Sequence, residues 1–168
     1  MNFSIDDIKS LNTKWPLPKT KKKIVIIGAG GIVSDAHLPA YKKGGYEVLG
    51  IYDPLNEKAT KCAKEFKIQR VYKNLDEALK ENNVVFDIAV PPAKLLEVVK
   101  KIPKNSICQL QKPIGNSLEE ARAVKQIIKE KNITASANLQ LKFSPMMLAL
   151  SDAIKKQMIG DITELEVN

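Results

Sequence analysis

The residues whose types and spacing could do chemistry are a glycine cluster and an aspartate. Gly28-Ala29-Gly30-Gly31 follows directly on the apolar run Ile24-Val25-Ile26-Ile27, and Asp53 lies about 25 residues after Gly28. A strand that breaks into glycines and continues as a helix is the context in which such a cluster binds phosphate. Gly28 lets the chain turn tightly out of the strand, and Gly30, having no Cβ, lets a diphosphate approach the backbone. Gly31, Ile32 and Val33 open the helix, where amide N–H groups have no acceptor within the helix and point at the anion with the helix dipole behind them. Val33 stands where the full pattern has a third glycine, a position concerned with helix–strand packing rather than with phosphate. Asp53 ends the second apolar run, where a carboxylate accepts hydrogen bonds from ribose hydroxyls and repels a 2′-phosphate; with no arginine close behind it, NAD is expected rather than NADP. The ordinary alternative is a plain strand-to-helix turn with a turn aspartate before Pro54.

Further candidates sit at the ends of later strands: Pro91 and Pro92, Gln111 and Lys112, and Asn138. A lysine aimed by Pro113 could donate to a substrate hydroxyl or help move its proton, although on spacing alone Lys112 reads as one surface lysine among many. His37, the only histidine, reads as a packing or capping residue of the first helix. Cys62 and Cys108 lack metal-type spacing and read as free buried thiols in a reducing cytoplasm, so no metal is expected.

These residues need a scaffold that brings strand ends together. Six apolar runs alternate with helical patterns: strands at 23–27, 47–52, 70–72, 84–90, 106–110 and 133–137, with helices at 32–43, 57–66, 74–81, 94–101 and 117–131 between them. Helices start at cap signals, Asn74 with Glu77 and Ser117 with Glu120, and Gly44-Gly45 stops the first. The alternation predicts an α/β fold with a doubly wound parallel sheet, the Rossmann type, in the order 3-2-1-4-5-6. Ligands then bind at the carboxyl ends of the strands, where Gly28, Asp53, Pro91, Gln111 and Asn138 stand.

Residues 1–22 read as a leader with a short helix capped by Ser4 and with Trp15 as the anchor packing it along the domain. Residues 23–140 form the dinucleotide-binding domain. Residues 141–168 read as the start of a second α+β domain, with a helix from Ser144-Pro145 to about Met158, closed by Gly160, and a strand at 162–167. A lone strand has no mate, so that domain is expected to continue past this chain.

Composition bounds the partners. The chain has 168 residues, enough for one good core, and 44% hydrophobic residues, an ordinary share for a globular protein. No apolar run approaches the ~20 residues that span a bilayer, so no membrane is expected, and nothing at the N-terminus marks secretion. The net charge of +8 comes almost wholly from lysines scattered along helices, with Arg70 and Arg122 the only arginines. Solvated lysine faces account for this better than nucleic acid does, and the field favours anionic cofactors and acidic substrates.

Taken together, the sequence resembles the glucose–fructose oxidoreductase and inositol dehydrogenase family. The stretches that carry the resemblance are Gly28 to Ile32 with His37-Leu38-Pro39-Ala40, Asp53, Pro91-Pro92, Gln111-Lys112-Pro113 with Ser117 to Ala121, and Asn138 through Phe143-Ser144-Pro145 and Ile159 to Ile162. The resemblance implies hydride transfer between a nicotinamide cofactor and a hydroxyl of a sugar or polyol. It places Lys112 in the active site, near the nicotinamide ribose and the substrate. It also implies a C-terminal domain that supplies an aspartate and a histidine for proton transfer and often an oligomer interface, so a homo-oligomer is expected for the full-length protein and no turnover by this chain alone. Several positions depart from the family pattern: Gln111 replaces a glutamate, Pro91-Pro92-Ala93 replaces threonine-proline-asparagine, and Lys142 replaces an arginine. The alternative is a non-catalytic nucleotide-binding or scaffold protein on the same fold.

Overall fold

A computed structural model describes residues 4–166. The chain divides into two units, Thr20–Asn138 and Met1–Lys19 with Leu139–Asn168.

The larger unit is a six-stranded, all-parallel sheet in the order 3-2-1-4-5-6, as expected. Its strands are β1 (Lys23–Ile27), β2 (Val48–Tyr52), β3 (Arg70–Val71), β4 (Val84–Ile88), β5 (Ile107–Leu110) and β6 (Thr134–Ala137). The helices, counted from α1 (Ile5–Lys9) in the smaller unit, are α2 (Leu38–Gly44), α3 (Asn56–Phe66), α4 (Leu75–Ala78), α5 (Pro92–Lys101) and α6 (Leu118–Glu130). The uninterrupted β1 run is explained by burial on both faces. Ile24 and Ile26 join Ala59 of α3 and Leu38 of α2 in one core, while Val25 and Ile27 join Leu95 of α5 and Val124 of α6 in the other.

The caps form largely as read. Asn74 accepts the Glu77 amide at 2.8 Å and Gly45 ends α2 in the left-handed conformation. At α6, Ser117 accepts the Glu120 amide at 3.3 Å, but the Glu120 carboxylate turns to the Asn116 amide one residue further upstream, at 2.7 Å.

The first helix departs from a regular α-helix. Val33–His37 is a π turn, and the α pattern resumes at Leu38. The wider turn carries one extra residue and rotates α2 relative to the residues before it.

In the smaller unit, Ser4 and Asp7 form a reciprocal cap on α1, and α7 (Pro145–Lys155) starts at Ser144, which accepts the Met147 amide at 3.3 Å. Trp15 meets Phe143 edge-to-face with ring centroids 4.9 Å apart. Two expectations are corrected. The last helix stops at Lys155 rather than near Met158, and residues 162–166 form no strand, because no neighbouring strand among the described residues offers a ladder. Val167, the last residue of that expected strand, lies outside the described residues.

Candidate functional site

The carboxyl ends of β1, β2, β4 and β5 enclose a cleft of about 580 Å³. The glycine turn contributes Gly28, Gly30 and Ile32, the end of β2 contributes Asp53 and Leu55, the end of β4 contributes Val90 and Pro91, and β5 contributes Gln111. Sequence spacing singled out six of these: Gly28, Gly30, Ile32, Asp53, Pro91 and Gln111. Lys58 and Lys101 add positive charge to the cleft wall, where Lys94 pairs with Glu97 at 3.3 Å.

Gly28 and Gly30 do different work. Gly28 has φ +109°, and a Cβ there would lie 2.4 Å from the Ala89 carbonyl oxygen. It is required by the close passage of the turn against the end of β4. A Cβ on Gly30 would meet nothing within 4 Å, so its open side faces free space at the cleft. Gly31 is exposed at the helix start. The Gly30 carbonyl already serves the amides of Val33 and Ser34, which leaves the Gly31 and Ile32 amides ahead of any intrahelical acceptor. Val33 is fully buried among Ile24, Ile26 and Ala29, as its packing position implies.

Asp53 is held from two sides. Its Oδ2 accepts the Ala29 amide at 2.7 Å and its Oδ1 accepts the Leu55 amide at 2.8 Å. The carboxylate thus lies against the glycine turn, with lone pairs left over for a ligand hydroxyl.

Pro91 caps α5 at the cleft, and Pro92 occupies its first turn, where a missing N–H costs nothing. Lys112 follows Gln111 with its side chain exposed, and it does not line the cleft. Asn138 stands just past β6, half-buried.

Behind the cleft lies a polar cluster that spacing alone did not reveal. Asp87, fully buried in β4, accepts from His37 Nδ1 at 2.7 Å and from the Tyr41 hydroxyl at 2.8 Å, both on its Oδ2. His37 Nε2 lies 3.1 Å from Gln111 Nε2 and 3.3 Å from Asn138 Nδ2. Gln109 Nε2 reaches the Tyr41 hydroxyl at 3.4 Å. Burial, followed by the charge of Asp87, pushes the Tyr41 hydroxyl far above the usual tyrosine range. His37 is buried at the N-cap position of α2, but its side chain makes no capping bond and serves instead as a hub of hydrogen bonds. The signal was present in the sequence: Asp87 is a charge in the middle of an apolar central strand, and Gln109 is its neighbour in register on β5.

Known proteins share this fold. Residues 22–139 match the model of the Gfo/Idh/MocA family, described as an oxidoreductase family with an NAD-binding Rossmann fold. The chain belongs to that family. Over 148 residues it is 26% identical to glucose-6-phosphate 3-dehydrogenase of Bacillus subtilis, covering 88% of this chain and 42% of that protein. The fold is also that of the super-repressor mutant of Gal80p from Saccharomyces cerevisiae (TM-score 0.74, 21% identity, 85% of this chain and 40% of that one). It is shared with scyllo-inositol dehydrogenase from Lactobacillus casei, solved with NAD(H) and scyllo-inositol (TM-score 0.70, 18% identity, 86% and 44%). The chain spans about two fifths of the length of these relatives.

Among the described residues, no cluster of three or more His, Cys, Asp or Glu side chains could hold a metal ion, and no helix is long and apolar enough to cross a membrane.

Proposed function

We propose that this chain is the NAD-binding part of an oxidoreductase acting on a hydroxyl of a sugar or polyol. The observation that carries the reading is the Asp53 carboxylate fixed 2.7 Å from the Ala29 amide, at the edge of a cleft that Gly30 leaves open. Residues and group fit one another. The amides of Gly31 and Ile32 supply donors for a diphosphate, Asp53 supplies an acceptor for a ribose, and Val90, Pro91 and Leu55 supply apolar walls. The nicotinamide, when bound, supplies the hydride acceptor. Lys112 orients the substrate by donating a hydrogen bond from its ammonium to the hydroxyl oxygen, the hydroxyl proton leaving to a separate base, and Lys58 and Lys101 on the cleft wall favour anionic ligands. The bound cofactor is NAD rather than NADP, because a 2′-phosphate would meet the Asp53 carboxylate.

Titration of the purified chain with NAD and NADP tests the cofactor half. Saturable NAD binding with a weaker response to NADP is the expected result; absence of NAD binding overturns the reading. Reduction of NAD dependent on a sugar or polyol, assayed in the full-length protein and lost in Lys112→Ala, tests the reaction.

A second reading, a nucleotide-binding scaffold without catalysis, is favoured by one observation. Both ends of the Gln111 amide are already engaged, with the Lys112 backbone and with His37, and no carboxylate stands there to set the charge of the lysine. NAD binding without any sugar- or polyol-dependent reduction selects it.

A further inference from the structure

We infer that His37 is a positioning residue that fixes the Gln111-Lys112 turn to the first helix, and that it does so as the neutral imidazole with its proton on Nδ1. The inference rests on the reading that Lys112 contacts the substrate.

One chain of hydrogen bonds sets the protons around His37. The Lys112 backbone N–H can only donate, so the Gln111 side-chain atom facing it, 2.8 Å away, is the oxygen Oε1. The other end of that amide is therefore the NH2 group, and it faces His37 Nε2 at 3.1 Å. Asn138 presents its own Nδ2 to the same ring atom at 3.3 Å. Two amide donors on one ring nitrogen require that nitrogen to be bare. The proton then sits on Nδ1, where the Asp87 carboxylate accepts it at 2.7 Å.

The arrangement links two ends of the cleft. His37 closes the π turn that begins at Val33, directly after the amides that face the diphosphate position. Its ring reaches the ends of β5 and β6 through Gln111 and Asn138. The π turn thus joins the phosphate end of the cleft to the turn that carries Lys112, and Asp87 anchors the joint from beneath. Glutamine suits residue 111 because it donates to His37 and accepts from Lys112 at once. A carboxylate there could accept from Lys112 but could not donate to a bare Nε2.

The single histidine makes the test direct. In 15N-labelled protein, the ring correlation spectrum is expected to show a protonated Nδ1 and a bare Nε2. In Gln111→Glu, a second proton on Nε2 is expected. Hydrogen exchange at the Lys112 amide is expected to rise about tenfold in His37→Asn, the loss of one buried hydrogen bond. Amides of β1 and β4 should keep their protection, which a general loss of stability would not allow. Should His37→Asn fail to fold, the ring spectrum of the unaltered protein still decides, because it needs no variant. A protonated Nε2 in the unaltered protein, or unchanged Lys112 exchange in a folded His37→Asn, overturns the inference. None of these measurements needs NAD, so failure of the cofactor reading shows separately, as a flat NAD titration with the ring and exchange results intact.

Discussion

The Asp53 carboxylate accepts the Ala29 backbone hydrogen at 2.7 Å, so the acidic residue proposed to hold a ribose also braces the glycine turn. One side chain has two tasks, since its other oxygen holds the Leu55 amide at 2.8 Å. A carboxylate accepts from several donors at once and holds each more strongly than a neutral amide does.

Asp53→Asn should therefore weaken NAD binding about tenfold, the difference between a charge-assisted and a neutral hydrogen bond. The same change should narrow the preference over NADP, because the repulsion of a 2′-phosphate disappears. Calorimetric titration with both cofactors checks the two effects separately.

The two glycines should respond in opposite ways. Gly28→Ala forces a Cβ to within 2.4 Å of the Ala89 carbonyl at a φ of +109°, and should destabilise the protein by ~2 kcal/mol or more. Gly30→Ala adds a Cβ to open space and should leave the unfolding midpoint unchanged or slightly raised, while NAD binding falls. Urea unfolding and cofactor titration of both variants decide it. Equal stability loss in the two would remove the distinction drawn between them.

Asp87→Leu should be among the most destabilising single changes in the larger unit. It leaves the His37 and Tyr41 donors without their shared acceptor, at ~1–3 kcal/mol for each buried group. Tyr41→Phe removes one donor from an oxygen that keeps another, and should cost only ~1 kcal/mol. Urea midpoints at constant pH compare the two.

Alkaline pH should weaken the fold through Cys108. Burial pushes this thiol from its ordinary 9.0 up to about 12. The folded protein then keeps a proton that the unfolded chain gives up, so the contribution is fully present below about pH 9. Above that, stability should fall as pH rises toward 12, with a slope of up to ~1.4 kcal/mol per pH unit from this group. Urea unfolding at a series of pH values from about 8 to about 11 should show a shallower slope in Cys108→Ala than in the unaltered protein.

The sequence by itself determined the sheet and the place of the cleft. Local signals sufficed because parallel strands buried on both faces must be apolar throughout, as Ile24 to Ile27 are, and because caps such as Asn74 and Ser117 act within a single turn. The glycine cluster and Asp53 were readable for the same reason: each marks a strand end, and the strand order brings those ends together. The tertiary structure decided what lies behind them. His37, Asp87, Gln111 and Asn138 are far apart in the chain, and only the register of β4 against β5 and the π turn at Val33 to His37 bring them within hydrogen-bond reach. No period or motif encodes such a meeting, because a buried polar group is satisfied by whichever partner the packed neighbours present. Residues 162–166 of the expected last strand failed on the same ground, since an alternating pattern needs a neighbouring ladder before it becomes a strand.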